Sequence, residues 1–253
     1  KRTENQHISL DGQWEFTWTD APQDHIELLI FSHKTTIPSS AYHSLHHAGV
    51  LPDPYVGTNS KLYHWVDEKV WYYKKIFRIN KAQEYDHAYL CFEGISYYAR
   101  VWINGICLGE HTGMFGGPVV DVAEYLQEEN EITVCCRDDL NDQRFPYGKQ
   151  VLPEKRGGMW YTPVSGIWQS VWLESVPDRY IKELKIENDG YGVNVSVYPA
   201  MDGTVQVEGL GDYPLKDGKA VIEPKEPHLW SPEDPYLYNF RVITQDDAVE
   251  SYF

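Results

Sequence analysis

Hydrophobic and polar positions alternate with a period of two along most of this chain, in short runs broken by Gly, Pro and Asn. Residues 131–136 (EITVCC) put Ile132, Val134 and Cys136 on one face, the signature of a half-buried strand. Residues 88–95 (AYLCFEGI) form a short apolar run. Residues 101–108 (VWINGICL) carry Asn104-Gly105 at their centre, and Asn-Gly between alternating apolar residues is the strongest short hairpin signal. Residues 169–176 predict a further strand. A helical period of 3.6 is absent, apart from a candidate turn at 122–126. Many short strands with Gly, Pro and Asn turns predict an all-β protein, a sandwich or jelly roll.

The pattern changes near Val176-Pro177-Asp178, where aromatic density drops. Beyond it, residues 180–187, 192–198, 204–208, 219–223 and 236–244 each read as a short strand. Turn residues separate them at the spacing of a small immunoglobulin-type sandwich. The expected division is therefore a jelly roll over 1–177 and an immunoglobulin-like domain over 178–253. The chain begins at Lys1 without Met and stops on an apparent strand at 250–253. Both features lead us to expect a piece of a longer protein.

Charge narrows the partners. With 38 acidic against 22 basic residues the chain carries a net charge of -16. Such a surface repels nucleic-acid phosphates and anionic lipid. No stretch approaches the roughly 20 apolar residues of a membrane helix, and residues 1–16 hold no apolar leader core. Neither nucleic acid nor membrane is expected as a partner. Cys91, Cys107, Cys135 and Cys136 lie in apolar strand-like runs without zinc-ligand spacing. All four are expected as buried free thiols in a reducing, cytoplasmic setting, with Cys135 and Cys136 on opposite sides of one strand. His43, His46 and His47 could line one helical face, but no acidic or thiol ligand accompanies them, and they read as structural or solvated. No metal or cofactor is expected.

The densest aromatic stretch is 157–173, GGMWYTPVSGIWQSVWL, with Trp160, Tyr161, Trp168 and Trp172 around a Ser165-Gly166 turn. Rings this dense beside small turn residues suit stacking on flat, partly apolar ligands such as sugars. Trp160 and Tyr161 can equally pack on a further domain. Trp14, Trp71, Trp102, Trp172 and Trp230 sit in predicted strands and read as core. Asp138-Asp139, followed by Asn141 and Asp142, is either a polar loop reaching a sugar or ion, or a solvated turn, and the turn is favoured. Residues 145–156 (FPYGKQVLPEKR) form a basic loop in an acidic protein, able to hold a substrate hydroxyl or to pack between domains. No G-x-S-x-G supports a serine triad.

Four stretches, in order, resemble glycoside hydrolase family 2. Residues 9–16 (SLDGQWEF) are similar to the opening strand of the family's first domain. Residues 37–77 resemble its Pro-led loop and aromatic strand, with PDPYVGTN and the following W-V-x-E-K-x-W-x-Y nearest the β-mannosidase branch. Residues 92–109 resemble its F-x-G-V hairpin, and 229–242 (LWSPEDPYLYNFRV) its immunoglobulin-like strand pair. The SGIW-x-x-VWLE run closes the first domain in that family.

The resemblance implies retaining hydrolysis of β-glycosides by two Glu residues on a (β/α)₈ barrel. That barrel follows these two domains and is not in this chain, so no catalytic residue is expected here. Asn130-Glu131 enters a strand and reads as a turn residue and a solvated Glu. The sugar-facing residues implied are Trp160, Tyr161, Asp139, Lys149, Gln150 and Arg156. Some members use an Asp just before Met159, where this chain has Gly157 and Gly158. β-Mannosidases carry W-D-W-G-P where this chain has MWYTPV. Residues 52–77 lean towards mannosidase and 148–173 towards galactosidase. The second region lies nearer the expected pocket, so β-galactosidase ranks first, with β-mannosidase or β-glucuronidase as alternatives. The expected partner is a β-glycoside substrate shared with the barrel; assembly into homo-oligomers stays open. A stand-alone carbohydrate-binding module is the alternative of a different class.

Overall fold

The alternating runs form antiparallel strands. A computed structural model describes residue 2 and residues 7–79, 86–138, 149–150, 161, 164–188, 190 and 192–253. Its strands are β1 (His7–Ser9), β2 (Gly12–Thr19), β3 (His33–Ile37), β4 (Val70–Arg78), β5 (His87–Phe92), β6 (Tyr98–Ile103), β7 (Ile106–Thr112), β8 (Val119–Asp121), β9 (Glu129–Arg137) and β10 (Val171–Val176). After these come β11 (Glu183–Asn188), β12 (Val193–Tyr198), β13 (Gly203–Val207), β14 (Gly211–Leu215), β15 (Lys219–Ile222), β16 (Asn239–Thr244) and β17 (Ala248–Tyr252). One α-helix of the described residues, α1 (Ala41–His47), is capped by Ser40, whose side chain accepts from the backbone N–H of His43. The candidate turn at 122–126 is a 3₁₀ turn, Ala123–Tyr125.

The chain divides into two compact units. The larger covers 8–84 and 88–174. Its strands make a six-stranded sheet in the order β3-β2-β4-β9-β6-β7 and a four-stranded sheet in the order β1-β10-β5-β8. This is a jelly roll. Period two decides its core: Trp71 and Tyr73 of β4, Val101 and Ile103 of β6, and Ile132, Val134 and Cys136 of β9 all point inward. The hairpin at Asn104-Gly105 forms as expected, with φ of 50° and 81° at the two turn residues.

The opposite face of the six-stranded sheet carries Val70, Tyr72, Trp102 and Cys135. Ile26, Leu29 and Phe31 of the β2–β3 connection cover them. Cys135 and Cys136 thus do face opposite ways. All four cysteines are free, but Cys107 is exposed in the β6–β7 hairpin and not buried as expected. Burial pushes the Cys91 thiol up to about 12 and that of Cys135 to about 11.

The smaller unit covers 1–7, 85–87 and 175–253. It packs a three-stranded sheet, β11-β12-β15, on a four-stranded sheet, β14-β13-β16-β17, around Val195, Val205, Ile222 and Val242. This is an immunoglobulin-like sandwich. Trp14, Trp71 and Trp102 are buried as predicted, and Trp172 is half-buried. Trp230 departs from expectation: it is 59 % exposed and belongs to no strand. Pro224, Pro227, Pro232 and Pro235 punctuate its segment and remove the ladder donors a strand would need.

Asn130 also departs from expectation. It is not a turn residue but a fully enclosed position in β9. Its Oδ1 accepts from Asn104 Nδ2 at 3.0 Å and from the Gln127 backbone N–H at 2.7 Å, and its Nδ2 donates to Gln127 O at 2.7 Å. Its neighbour Glu131 is half-buried and lies 3.7 Å from Lys74 Nζ.

Candidate sugar-binding face

Ser165 and Gly166, expected as a turn, instead form extended chain: Gly166 pairs with Ser96 in an isolated antiparallel bridge, and the segment is held on three sides by backbone. Ala41 N–H donates to Ser165 O at 2.7 Å, Ser39 N–H to Ile167 O at 2.8 Å, and Ser96 N–H to Gly166 O at 3.0 Å. Gly166 has φ +115°, and a Cβ there would lie 2.8 Å from the Tyr73 hydroxyl and 3.2 Å from Ser39 O. Only glycine fits such a backbone conformation in so tight a space.

Asp138 lies against this segment. Its carboxylate accepts from Ser165 Oγ at 2.8 Å and from Ser96 Oγ at 3.1 Å. Burial raises its pKa to about 7; the two serine hydrogen bonds pull the other way, and the nearby Asp67 charge adds to the rise. The solvated turn expected at Asp138 is therefore wrong for this residue. The run of turn-forming residues from Asp138 to Asp142 concealed it, because composition alone does not tell which carboxylate folds inward.

Just after Gly166, Trp168 packs close against Gly94, whose missing side chain gives it room: a Cβ there would sit 2.9 Å from the indole. Its indole N–H donates to Met114 O at 3.1 Å. Phe115 meets the same indole edge-on at 5.8 Å, with its own ring 75 % exposed. Phe115 and Met114 were not singled out from sequence. An apolar pair between Gly113 and Gly116-Gly117 was the available signal.

Of the residues expected to face sugar, Tyr161, Lys149 and Gln150 are described. Tyr161 pairs with Gln150 in an isolated bridge, and its N–H donates to Lys149 O at 2.9 Å. The Tyr161 ring is 62 % exposed, and Lys149 is exposed too. Gln150 is buried: its Oε1 accepts from the Val164 N–H at 2.6 Å, and its Nε2 points at Met114 Sδ at 4.0 Å. Gln150 thus ties the Lys149–Tyr161 strip to the Met114–Trp168 platform. Trp160, Asp139 and Arg156 lie outside the described residues. Among the described residues no three His, Cys, Asp or Glu side chains cluster as metal ligands. The arrangement offers exposed rings beside polar groups, a surface for stacking and hydrogen bonding rather than for bond cleavage.

Comparison with known proteins bears on the whole chain. The family profile described as "Glycosyl hydrolase 2 galactose-binding domain-like" matches residues 14–153, and that described as "Glycosyl hydrolases family 2" matches residues 180–252. Beta-mannosidase B of Thermothelomyces thermophilus is 30% identical over 96% of this chain and 33% of its own length. A beta-galactosidase of Thermoanaerobacter pseudethanolicus is 25% identical over 72% of this chain and 27% of its own. Among solved structures, a beta-D-mannosidase from Dictyoglomus thermophilum superposes with a TM-score of 0.70 at 24% identity. It covers 98% of this chain and 36% of that one. A beta-glucuronidase from an uncultured Clostridium sp. gives 0.71 at 20% identity, covering 98% and 44%. The structural likenesses speak to the fold alone. The chain spans about a third of the length of the curated relatives it matches.

Proposed function

The chain belongs to glycoside hydrolase family 2, and on that footing we propose that it is the non-catalytic N-terminal part of a retaining exo-β-glycosidase. In this reading residues 1–177 and 178–253 are its two domains. They buttress a barrel that carries both catalytic Glu residues, and the first domain contributes a wall of the sugar pocket. Trp160, Tyr161, Asp139, Lys149 and Arg156 face the sugar, and the buried Gln150 supports Lys149 and Tyr161 from behind.

The carrying observation is the order of the two family matches, which together run along nearly the entire chain. For the sugar, β-mannoside is the first choice. Proteins named Beta-mannosidase B match over 94–97% of this chain in four cases, against 72% for the beta-galactosidase. Residues 148–173 favour the β-galactoside instead, and a beta-galactosidase is also among the relatives. The four free thiols support a reducing, cytoplasmic setting, and no helix among the described residues is long and apolar enough to cross a membrane.

The test is turnover of aryl β-mannoside, β-galactoside and β-glucuronide by the whole gene product and by the 253-residue chain. The expected result is hydrolysis by the whole protein, fastest on the mannoside, and none by this chain. Turnover by the isolated chain, or inactivity of the whole protein on all three, would overturn the reading. The second reading, a stand-alone sugar-binding module, draws on the exposed Phe115 and Tyr161 rings. It predicts saturable sugar binding by the isolated chain that Trp160→Ala abolishes.

A further inference from the structure

On the outer face of the six-stranded sheet, Ile26, Leu29 and Phe31 pack against Val70, Tyr72, Trp102 and Cys135. Beside them opens a cleft of about 120 Å³, walled by Tyr72, Tyr98, Arg100, Trp102 and Arg137, with Gln23 at its rim. All of it lies within the jelly roll.

Strand register brings the two arginines together. Tyr98 pairs with Arg137, and Arg100 with Cys135, on neighbouring strands β6 and β9. Arg100 and Arg137 are therefore diagonal neighbours on one face, roughly 7–8 Å apart at the backbone. Each guanidinium rests on a ring: Arg137 lies 5.0 Å from the centre of Tyr98, and Arg100 lies 5.8 Å from that of Trp102. Stacking orients both planar forks; the Arg100 fork is taken up by Glu110 and Asp24, whereas the Arg137 fork meets no side-chain acceptor among the described residues.

Their charges are balanced differently. Arg100 donates to Glu110 and lies 3.5 Å from Asp24. Arg137 meets no carboxylate among the described residues. Even in a chain of net charge -16, a pre-oriented guanidinium that faces no carboxylate among the described residues, in a cleft with aromatic walls, is a place for an anion.

We propose that this cleft binds an oxyanion, with the Arg137 fork holding a carboxylate or sulfate group. The same oxyanion chemistry can come as a free inorganic ion or on an acidic sugar. An acidic sugar is the ligand we assign, because the rings of Tyr98 and Trp102 flank the forks. That last step rests on the carbohydrate reading above; the oxyanion site itself does not.

The experiment is a titration of the 253-residue chain, followed by amide chemical shifts. The probes are sodium glucuronate, sodium sulfate and neutral methyl β-mannoside, at constant ionic strength. We expect saturable shifts at residues 98–102 and 135–137 with glucuronate, weaker ones with sulfate, and none there with the mannoside. Arg137→Gln should weaken binding by about tenfold or more, the loss of one charge-assisted contact. Arg137 is exposed, so the variant keeps its fold, and Arg137→Lys should bind between the two. Equal binding of sulfate and glucuronate upholds the oxyanion site and overturns the sugar. No saturable shift with either anion, or an unchanged affinity in Arg137→Gln, overturns the site itself. Glycosidase activity of the whole protein does not enter any of these outcomes.

Discussion

Arg2 and Asp247, 245 positions apart in sequence, form an ion pair in which Arg2 Nη1 donates to both carboxylate oxygens, at 2.6 and 2.5 Å. Both side chains are enclosed, 6 % and 0 % exposed, within the immunoglobulin-like unit. The pair is completed on each side: the Arg2 guanidinium donates to Ile181 O at 2.8 Å, and Asp247 accepts from the Ile181 N–H at 2.8 Å. Removing one partner strands the other charge in protein. Arg2→Ala should therefore cost about 3–5 kcal/mol, the penalty of a broken buried pair. Urea unfolding would read it. A loss under 1 kcal/mol would mean that water reaches Asp247 once Arg2 is gone.

Gly166→Ala should destabilise the jelly roll by about 2 kcal/mol or more, since it adds a contact at 2.8 Å to an unfavourable positive φ. For a protein of this size, that lowers the melting temperature by roughly 4–8 °C. An unchanged melt would show that the segment around Gly166 can shift without loss.

The strands were legible because a half-buried strand writes its face directly into the sequence, as Ile132, Val134 and Cys136 do. The Asn104-Gly105 turn was legible for a local reason as well, its two positive φ values. What escaped was set by tertiary context. Asp138 and Asn130 are polar residues in or beside turn-like sequence, and only the assembled sheets reveal that both fold inward. Trp230 and Cys107 failed the other way: apolar residues in apolar-looking runs that the fold leaves at the surface. The arginine cleft was invisible because Arg100 and Arg137 meet only through the register of β6 and β9.

Asn130→Ala should cost about 2–3 kcal/mol. It leaves the Gln127 N–H, the Gln127 carbonyl and one bond of Asn104 Nδ2 without this partner. Asn130→Asp keeps the acceptor but turns a carboxylate oxygen towards Gln127 O in place of the donor and buries a charge, so it should cost at least as much. Calorimetric melts of the two variants give the comparison. A smaller loss in Asn130→Asp would show that the accepted bonds outweigh the donated one.

Asp138 makes stability depend on pH in a direction unusual for a carboxylate. Its pKa rises with burial to about 7 in the folded chain, against about 3.9 when unfolded. Below pH 4 both states hold the proton, and the raised pKa contributes its full stabilisation. Between pH 4 and 7 the unfolded chain has lost that proton while the folded one keeps it. The unfolded state then binds fewer protons, and this contribution falls as pH rises, until it is lost above about 7. Asp138→Asn has no proton to lose and retains an oxygen to accept from Ser165 and Ser96. Comparing its unfolding free energy with that of the parent isolates the effect. The difference, variant minus parent, should grow from pH 4 to pH 7 and then level off. A difference that stays flat across that range would mean that the Asp138 carboxyl is ionised throughout, with the two serine hydrogen bonds outweighing burial.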